Sequence, residues 1–235
     1  IPEDVESNTR EVAPMQAGLI PKGEHTYLKK RKIDADTCQF WDYTVSEYKG
    51  STVQVANYKD KSGATIAQKI RLPDKSFKFL GDTKNIPLYG QWLWSSGGKM
   101  VTIVEGELDA LSASQAQGNK WPCVSVPTGA AGSVRAVTQN IQWLLSFDRV
   151  NIMFDNDEAG KEAALKVAAL FPPRKAHIAT LPHKDASDMV MKGLGADLVN
   201  AMWRAEPYSP AGIVSGSELR KRLEDRPDIP SFAWP

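Results

Sequence analysis

The stretch "KMVTIVEGELDAL" (99–111) runs from an unbroken apolar segment into a carboxylate, a glycine and two further acids. Residues 100–104, "MVTIV", have the length and β-branched content of a strand buried on both faces. Residues 107–117 then take up a helical pattern. On this reading Glu105 ends a strand, Gly106 lets other backbone approach closely, and Glu107 and Asp109 fall in the first helical turn, where acids favour the macrodipole. The acids either cap a helix or hold a metal ion.

The same alternation continues downstream. "CVSVP" (123–127), "VNIMF" (150–154) and "AHIATL" (176–181) read as further buried strands, with helices predicted over 133–146, 158–170 and 196–205. Strands alternating with helices predict a parallel sheet flanked by helices, hence an α/β arrangement. The preceding region has another character. Residues 52–58 and 64–70 alternate with a period of two across the turn "KDKSG", and 76–81 adds a third run, which together predict a small antiparallel sheet. The chain is thus α+β overall. Its expected organisation is a polar arm or linker over 1–18, a basic subdomain over 19–98, the parallel-sheet domain over 99–206, and a linker helix starting near Ser217 with a proline-broken tail over 207–235.

Ligands of open α/β sheets bind beyond the carboxyl ends of the strands, and three predicted strand ends carry acids. They are Glu105, then Asp155 and Asp157 with Glu158 in "FDNDEAG", then Asp185 and Asp188 in "LPHKDASD". Each acid alone fits a turn or a helix cap. Acids converging from neighbouring strands repel one another unless a cation compensates. An oxygen-only ligand set without cysteine suits Mg²⁺ or Mn²⁺. Asp109, Glu158 and Asp188 would sit behind the ligands.

Phosphate-bearing substrates also need cations. Residues 59–84 hold Lys59, Lys61, Lys69, Arg71, Lys75, Lys78 and Lys84 against Asp60, Asp74 and Asp82, and Lys69 and Arg71 share one strand face by the period of two. "HTYLKKRKID" (25–34) is a second basic run, readable as a template contact or as a surface helix. Trp92 and Trp94 in "YGQWLW" read first as core and second as a stacking surface for bases.

Composition limits the alternatives. The 235 residues are 42% hydrophobic and 24% charged, with a net charge of +1, so a polyanion partner has to be met by a local patch. Cys38 and Cys123 form no CxxC and have no histidine cluster near them, which argues against zinc and for a reducing compartment. No apolar run reaches the roughly 18 residues of a membrane span. No GxxxxGK[ST] or GxGxxG occurs. The start, which lacks Met and a signal segment, reads as an internal piece of a longer protein.

"TIVEGELDAL", followed by "IMFDNDEAGKEAA", resembles the two acidic motifs of TOPRIM domains, the metal-binding module of bacterial-type primases, topoisomerases and some nucleases. "SVPTGAAG" (125–132) resembles the glycine-containing loop between those motifs in primases. "VQVANYKDKSGATIAQKIR", "FKFLG", "LYGQWLW" and "LPHKDASD" extend the resemblance, over roughly 18–222, to the RNA polymerase domain of the primase–helicases of short-tailed phages, relatives of mitochondrial Twinkle. The resemblance implies primer synthesis from NTPs on single-stranded DNA. It implies Glu105, Asp155 and Asp157 as catalytic residues, joined by Asp185 as metal ligands, with Glu105 either a ligand or the general base. It places Lys69, Arg71, Lys75, Lys78 and Gly129 against nucleotide or template. The implied partners are a zinc-binding module and a helicase domain of the same protein, neither matched here, and a DNA polymerase. The implied location is a bacterial host's cytoplasm, or an organelle for a Twinkle relative. The competing expectations are another TOPRIM enzyme, such as a nuclease, or a non-catalytic DNA-binding relative.

Overall fold

The computed structural model describes residues 18–21 and 23–210, with positions 216, 220 and 224. The expected arm over 1–18 and the linker helix near Ser217 lie almost wholly outside the described residues.

The described residues form two sheets. The first is antiparallel, in the order β1 (Tyr43–Tyr48), β2 (Ser51–Lys59), β3 (Thr65–Arg71), β4 (Phe77–Gly81). The hairpin expected between β2 and β3 is present. Asp60 accepts hydrogen bonds from the Ser62 and Ala64 amides, and Gly63 takes a φ of 88° to close the turn. Strand β1 has no counterpart in the sequence reading. It is joined to β2 by Lys49 and Gly50, both at positive φ (50° and 75°), the backbone of a two-residue hairpin turn. Lys-Gly is a weak turn signal beside Asn-Gly or Asp-Gly, so the sequence does not announce this hairpin.

The second sheet has the order β6-β5-β7-β8-β9, from β5 (Gly98–Val104), β6 (Cys123–Ser125), β7 (Phe147–Met153), β8 (Ala176–Ile178) and β9 (Glu206–Pro207). β5, β6, β7 and β8 pair in parallel, and the short β9 adds an antiparallel edge beside β8. Helix α2 (Glu107–Ala116) packs with α6 (Ala186–Met191) and α7 (Gly195–Trp203) into one apolar cluster; α3 (Gly129–Gln139) and α5 (Glu158–Ala168) pack in another. The expected single helix over 133–146 is two, because the chain turns at Asn140 between α3 and α4 (Ile141–Leu145). Residues 25–34 form no helix; Leu28 and Ile33 pair across a turn before the six-residue α1 (Ala35–Phe40).

One core runs under both sheets. It joins Tyr43, Ala56, Tyr58 and Ala67 of the antiparallel sheet to Val104, Leu108, Met153 and Met189 of the parallel half. Tyr89 is its hinge. It is fully buried, bridges to Ser125 at the edge of β6, donates its hydroxyl to the Trp41 carbonyl (2.7 Å), and sets its ring 5.0 Å from that of Tyr58. Trp92 and Trp94 are partly buried against this core, Trp94 donating its indole N–H to the Cys123 carbonyl, in keeping with the core reading. No helix among the described residues is long and apolar enough to cross a membrane.

Helix α5 begins tight against the segment leaving β7. A Cβ built on Gly160 would lie 2.2 Å from the Asp155 carbonyl oxygen and 3.0 Å from the Asp155 backbone nitrogen. Gly160→Ala should therefore force helix and segment apart, at a cost of about 1–3 kcal/mol. Thermal melting is expected to show a fall of several degrees; an unchanged midpoint would mean that this contact sets nothing.

Candidate active site

The pocket opens at the carboxyl edge of the parallel sheet. It has a volume of about 490 Å³ and lies between the ends of β5 and β7 and one face of β3 and β4. Glu105, Asp109, Asp155 and Asp185 line it on one side; Lys69, Arg71, Phe77 and Phe79 line it on the other, and Gly129, Arg31 and Lys184 also belong to the lining. Acids from three segments separated in sequence are thereby brought together, as the strand-end pattern predicts. A larger hollow of about 870 Å³ lies on the opposite face of the antiparallel sheet, beside Gln68, and shares none of these acids.

Glu105 leaves β5 and points at the start of α3. Its Oε1 accepts from the Ala130 amide (3.1 Å), and its Oε2 lies 3.5 Å from the Asp155 amide. An anion at a helix N-terminus is favoured by the free amides there. Gly129, at φ 65°, turns the chain into α3, and a Cβ at that position would sit 3.5 Å from Glu105 Oε1. Gly106 makes room for Asp109: a Cβ there would be 2.8 Å from Asp109 Oδ2. Asp109 in turn accepts from the Ser187 amide (3.0 Å), tying α2 to the start of α6. Asp185 caps that same helix through the Asp188 amide (2.6 Å).

Crowding these carboxylates costs free energy. Burial first, and then the charges of Glu105 and Asp185, raise the Asp155 pKa to about 7, with Lys184 working the other way. Burial and then Asp185 and Asp155 push Asp109 up to about 8. Lys184 Nζ stands 3.8 Å from Asp155 and 3.7 Å from Asp185, a partial counter-charge. Among the described residues no three His, Cys, Asp or Glu side chains are close enough together to coordinate an ion as they stand.

The remaining expected residues fall outside the pocket lining. Asp157 is exposed and caps α5 through the Gly160 amide (2.8 Å), and Glu158 follows it, exposed, as the first helical residue. Asp188 points away and pairs with Lys192 at 2.7 Å. Lys75 sits at φ 70° in the β3–β4 turn, in an adjoining hollow with Lys30, Arg31 and Arg71. Lys78 is opposite Ile70 in the register, so the period of two puts it on the far face from Lys69, where it donates to the Tyr48 hydroxyl (3.1 Å).

Glu107 lies in the first turn of α2, as the macrodipole reading expects, and does more than complete a helix start. It is buried, and Lys69 Nζ donates to both its carboxylate oxygens (2.9 and 3.0 Å) and to the Pro127 carbonyl (2.8 Å). The Tyr58 hydroxyl donates to the same carboxylate at 2.5 Å. Three neighbours of the acids carry only a weak signal in the sequence. Lys184 adjoins Asp185 directly, and Arg31, which donates to the Ser187 hydroxyl, belongs to the basic run 25–34. Phe77 shares the period of two with Phe79. For the pairing of Glu107 with Lys69 the sequence holds no local signal.

Acids at the strand ends of a helix-flanked parallel sheet define a Toprim-type site, and residues 102–190 match the Toprim-like family. Residues 23–81 match the family described as the N-terminal α+β fold of the bacteriophage T7 DNA helicase/primase. Over 203 residues the chain is 35% identical to the DNA helicase/primase of Enterobacteria phage T3, covering 86% of this chain and 36% of that protein. The chain thus spans about a third of the length of that relative. The crystal structure of the primase fragment of the bacteriophage T7 primase-helicase superposes with a TM-score of 0.73 at 32% identity, covering 80% of this chain and 83% of that one. A second T7 structure shows the lagging-strand DNA polymerase interacting with primase domains bound to an RNA/DNA hybrid and dTTP. It matches with a TM-score of 0.75 at 35% identity over 79% of this chain and 94% of that one. The chain belongs to this family, the primase portion of T7-type helicase/primases.

Breaking a buried ion pair by removing one partner costs about 3–5 kcal/mol, more than replacing both with apolar groups. The Lys69 and Glu107 side chains are only 11% and 8% exposed. Denaturant unfolding should show Lys69→Met strongly destabilised and the double variant Lys69→Met/Glu107→Leu closer to wild type. Additive losses would mean that the pair is not coupled.

Proposed function

We propose that this chain is a DNA primase that joins ribonucleotides from NTPs into short RNA primers on a single-stranded DNA template, with Mg²⁺ or Mn²⁺ as cofactor. The observation that carries the reading is a pocket with crowded, partly buried carboxylates on one wall and basic residues on the other. Carboxylates alone supply the donors that suit a hard divalent cation. Mg²⁺ is commonly held by one or two carboxylates completed by water and substrate phosphates, so a ready-made protein cage is not required. Asp155 and Asp185 are the pocket-lining candidates for ligands, with Asp157 at the margin and Asp109 bracing Asp185 through α6.

In the reaction the 3′-hydroxyl attacks the α-phosphorus of the incoming NTP, a new phosphodiester forms, and pyrophosphate leaves. The cation, when bound, neutralises charge on the phosphates and lowers the pKa of the attacking hydroxyl. Glu105 serves as a ligand or as the base that takes the hydroxyl proton. Arg71 and, from the adjoining hollow, Lys75 face the phosphates or the template, Arg31 extends that basic wall, and Lys69, held by Glu107 and Pro127, contributes its charge rather than a free hydrogen. Lys78, on the opposite face, is left out of this arrangement. The zinc-binding module, the helicase domain and a DNA polymerase are the proposed partners, and a bacterial host's cytoplasm the proposed location.

Incubation with single-stranded DNA, NTPs and Mg²⁺, with and without an added zinc-binding module, tests the reading. Labelled oligoribonucleotides are expected, and Glu105→Gln and Asp155→Asn should each lower the yield at least about a hundredfold, the order of effect of losing a positioned acid–base group. Cut DNA without oligoribonucleotides would make the protein a nuclease. DNA binding with no synthesis and no Mn²⁺ binding would make it a non-catalytic relative.

A further inference from the structure

Phe77 is out of place by exposure: a large apolar side chain, 54% exposed, in a pocket lined by carboxylates and by Lys69 and Arg71. The register explains how it is held there. Arg71 pairs with Phe77 and Lys69 with Phe79 across β3 and β4, so all four side chains project from one face of the sheet towards the acids. The two phenylalanines differ. Phe79 leans on the buried Tyr58 ring at 6.1 Å and belongs to the core margin. Phe77 has no such support. Its ring is met by Lys69 Nζ at 4.7 Å from the centroid and by the Arg71 guanidinium at 5.6 Å. Lys69 is itself fixed by Glu107 and Pro127, so the ring rests beside an immobilised cation. More than half of its surface remains open to the pocket and solvent.

We propose that Phe77 is a nucleobase platform, on which a base stacks while its phosphates lie towards Arg71 and its backbone runs past the acids. The inference rests on the primase reading of the pocket and adds a binding residue to it. The chemistry favours a base over other occupants. An aromatic ring offers a flat face to any of the four bases without selecting among them, and the cations around Phe77 suit a ligand that brings phosphate with it. The base belongs either to the incoming NTP or to the template strand, and equilibrium binding separates these sources without requiring turnover.

The 235-residue chain and its Phe77→Ala, Phe77→Leu and Phe77→Tyr variants would be titrated with a fluorescent ATP analogue plus Mg²⁺, and separately with dye-labelled single-stranded DNA. An oligonucleotide of equal length with abasic sugars serves as the control. Removing one base–aromatic stack is expected to weaken binding about tenfold. Phe77→Ala and Phe77→Leu should both lose about that factor for one of the two ligands, and Phe77→Tyr should restore most of it. The ligand affected names the source of the base. If the strand is that ligand, the loss should vanish with the abasic oligonucleotide. Melting temperatures should stay together, since the ring is exposed. Wild-type affinity in Phe77→Ala, full affinity in Phe77→Leu, or an equal loss on the abasic strand would each overturn the platform while leaving the primase reading intact. Failure of the wild-type chain to bind either ligand would overturn both.

Discussion

The ion pair between Lys69 and Glu107, with the Tyr58 hydroxyl on the same carboxylate, holds the two halves of this fold in one working arrangement. Lys69 comes from the antiparallel sheet, Glu107 from the first turn after β5, and Pro127 from the loop after β6, so three segments meet at one ammonium group. All three hydrogens of that group are placed, which offsets much of the cost of burying the charge. The consequence is positional. With Lys69 fixed, the β3–β4 face stands opposite Glu105, Asp155 and Asp185, and the pocket has one acidic and one basic wall. The shared aromatic core of Trp41, Tyr58 and Tyr89 gives this pair a rigid floor.

Against that framework the acidic wall is a standing electrostatic cost. Helix starts absorb part of it: Glu105 lies on the α3 amides, and Asp185 and Asp157 cap α6 and α5. What is left appears as the raised pKa values of Asp155 and Asp109. Functional sites are where such costs are tolerated, and a bound cation with its phosphate ligands is the natural compensation. The sheet edge thus acts as a scaffold on which neutralising charge remains to be supplied.

The parts of this arrangement that were readable in the sequence follow from local periodicity. Buried apolar runs followed by acids point to Glu105, Asp155 and Asp185, which line one pocket although Asp185 stands at the start of α6 rather than at the end of β8, and the alternation of β2 and β3 puts Lys69 and Arg71 on one face. The parts that were not readable depend on contacts between distant segments. The burial of Glu107 requires Lys69 and Tyr58, which are far away in sequence. The separation of Lys78 from Lys69 follows from a register that the hydrophobic pattern of "SFKFLG" leaves open. Strand β1 lacks a strong turn signal, and an apolar helical pattern continues across the break at Asn140. The resemblance in the acidic motifs carried the function; the geometry adds which basic residues share the pocket with them.

In the proposed function the acids at the sheet edge are held against their mutual repulsion for a divalent cation. A carboxyl whose folded pKa is raised destabilises the native state as pH rises from its unfolded value, near 4, through the folded one, here about 7 for Asp155 and about 8 for Asp109. Thermal melting at constant ionic strength, with and without about 10 mM Mg²⁺, reads this directly. On that reading the metal-free midpoint falls from about pH 4 to about pH 8, most steeply below pH 7 where both acids contribute, and Mg²⁺ raises it by at least about 2 °C at pH 8, a rise that is small at pH 5.5 and lost in Asp155→Asn. A Mg²⁺ response that is absent at pH 8, or that survives intact in Asp155→Asn, would contradict it.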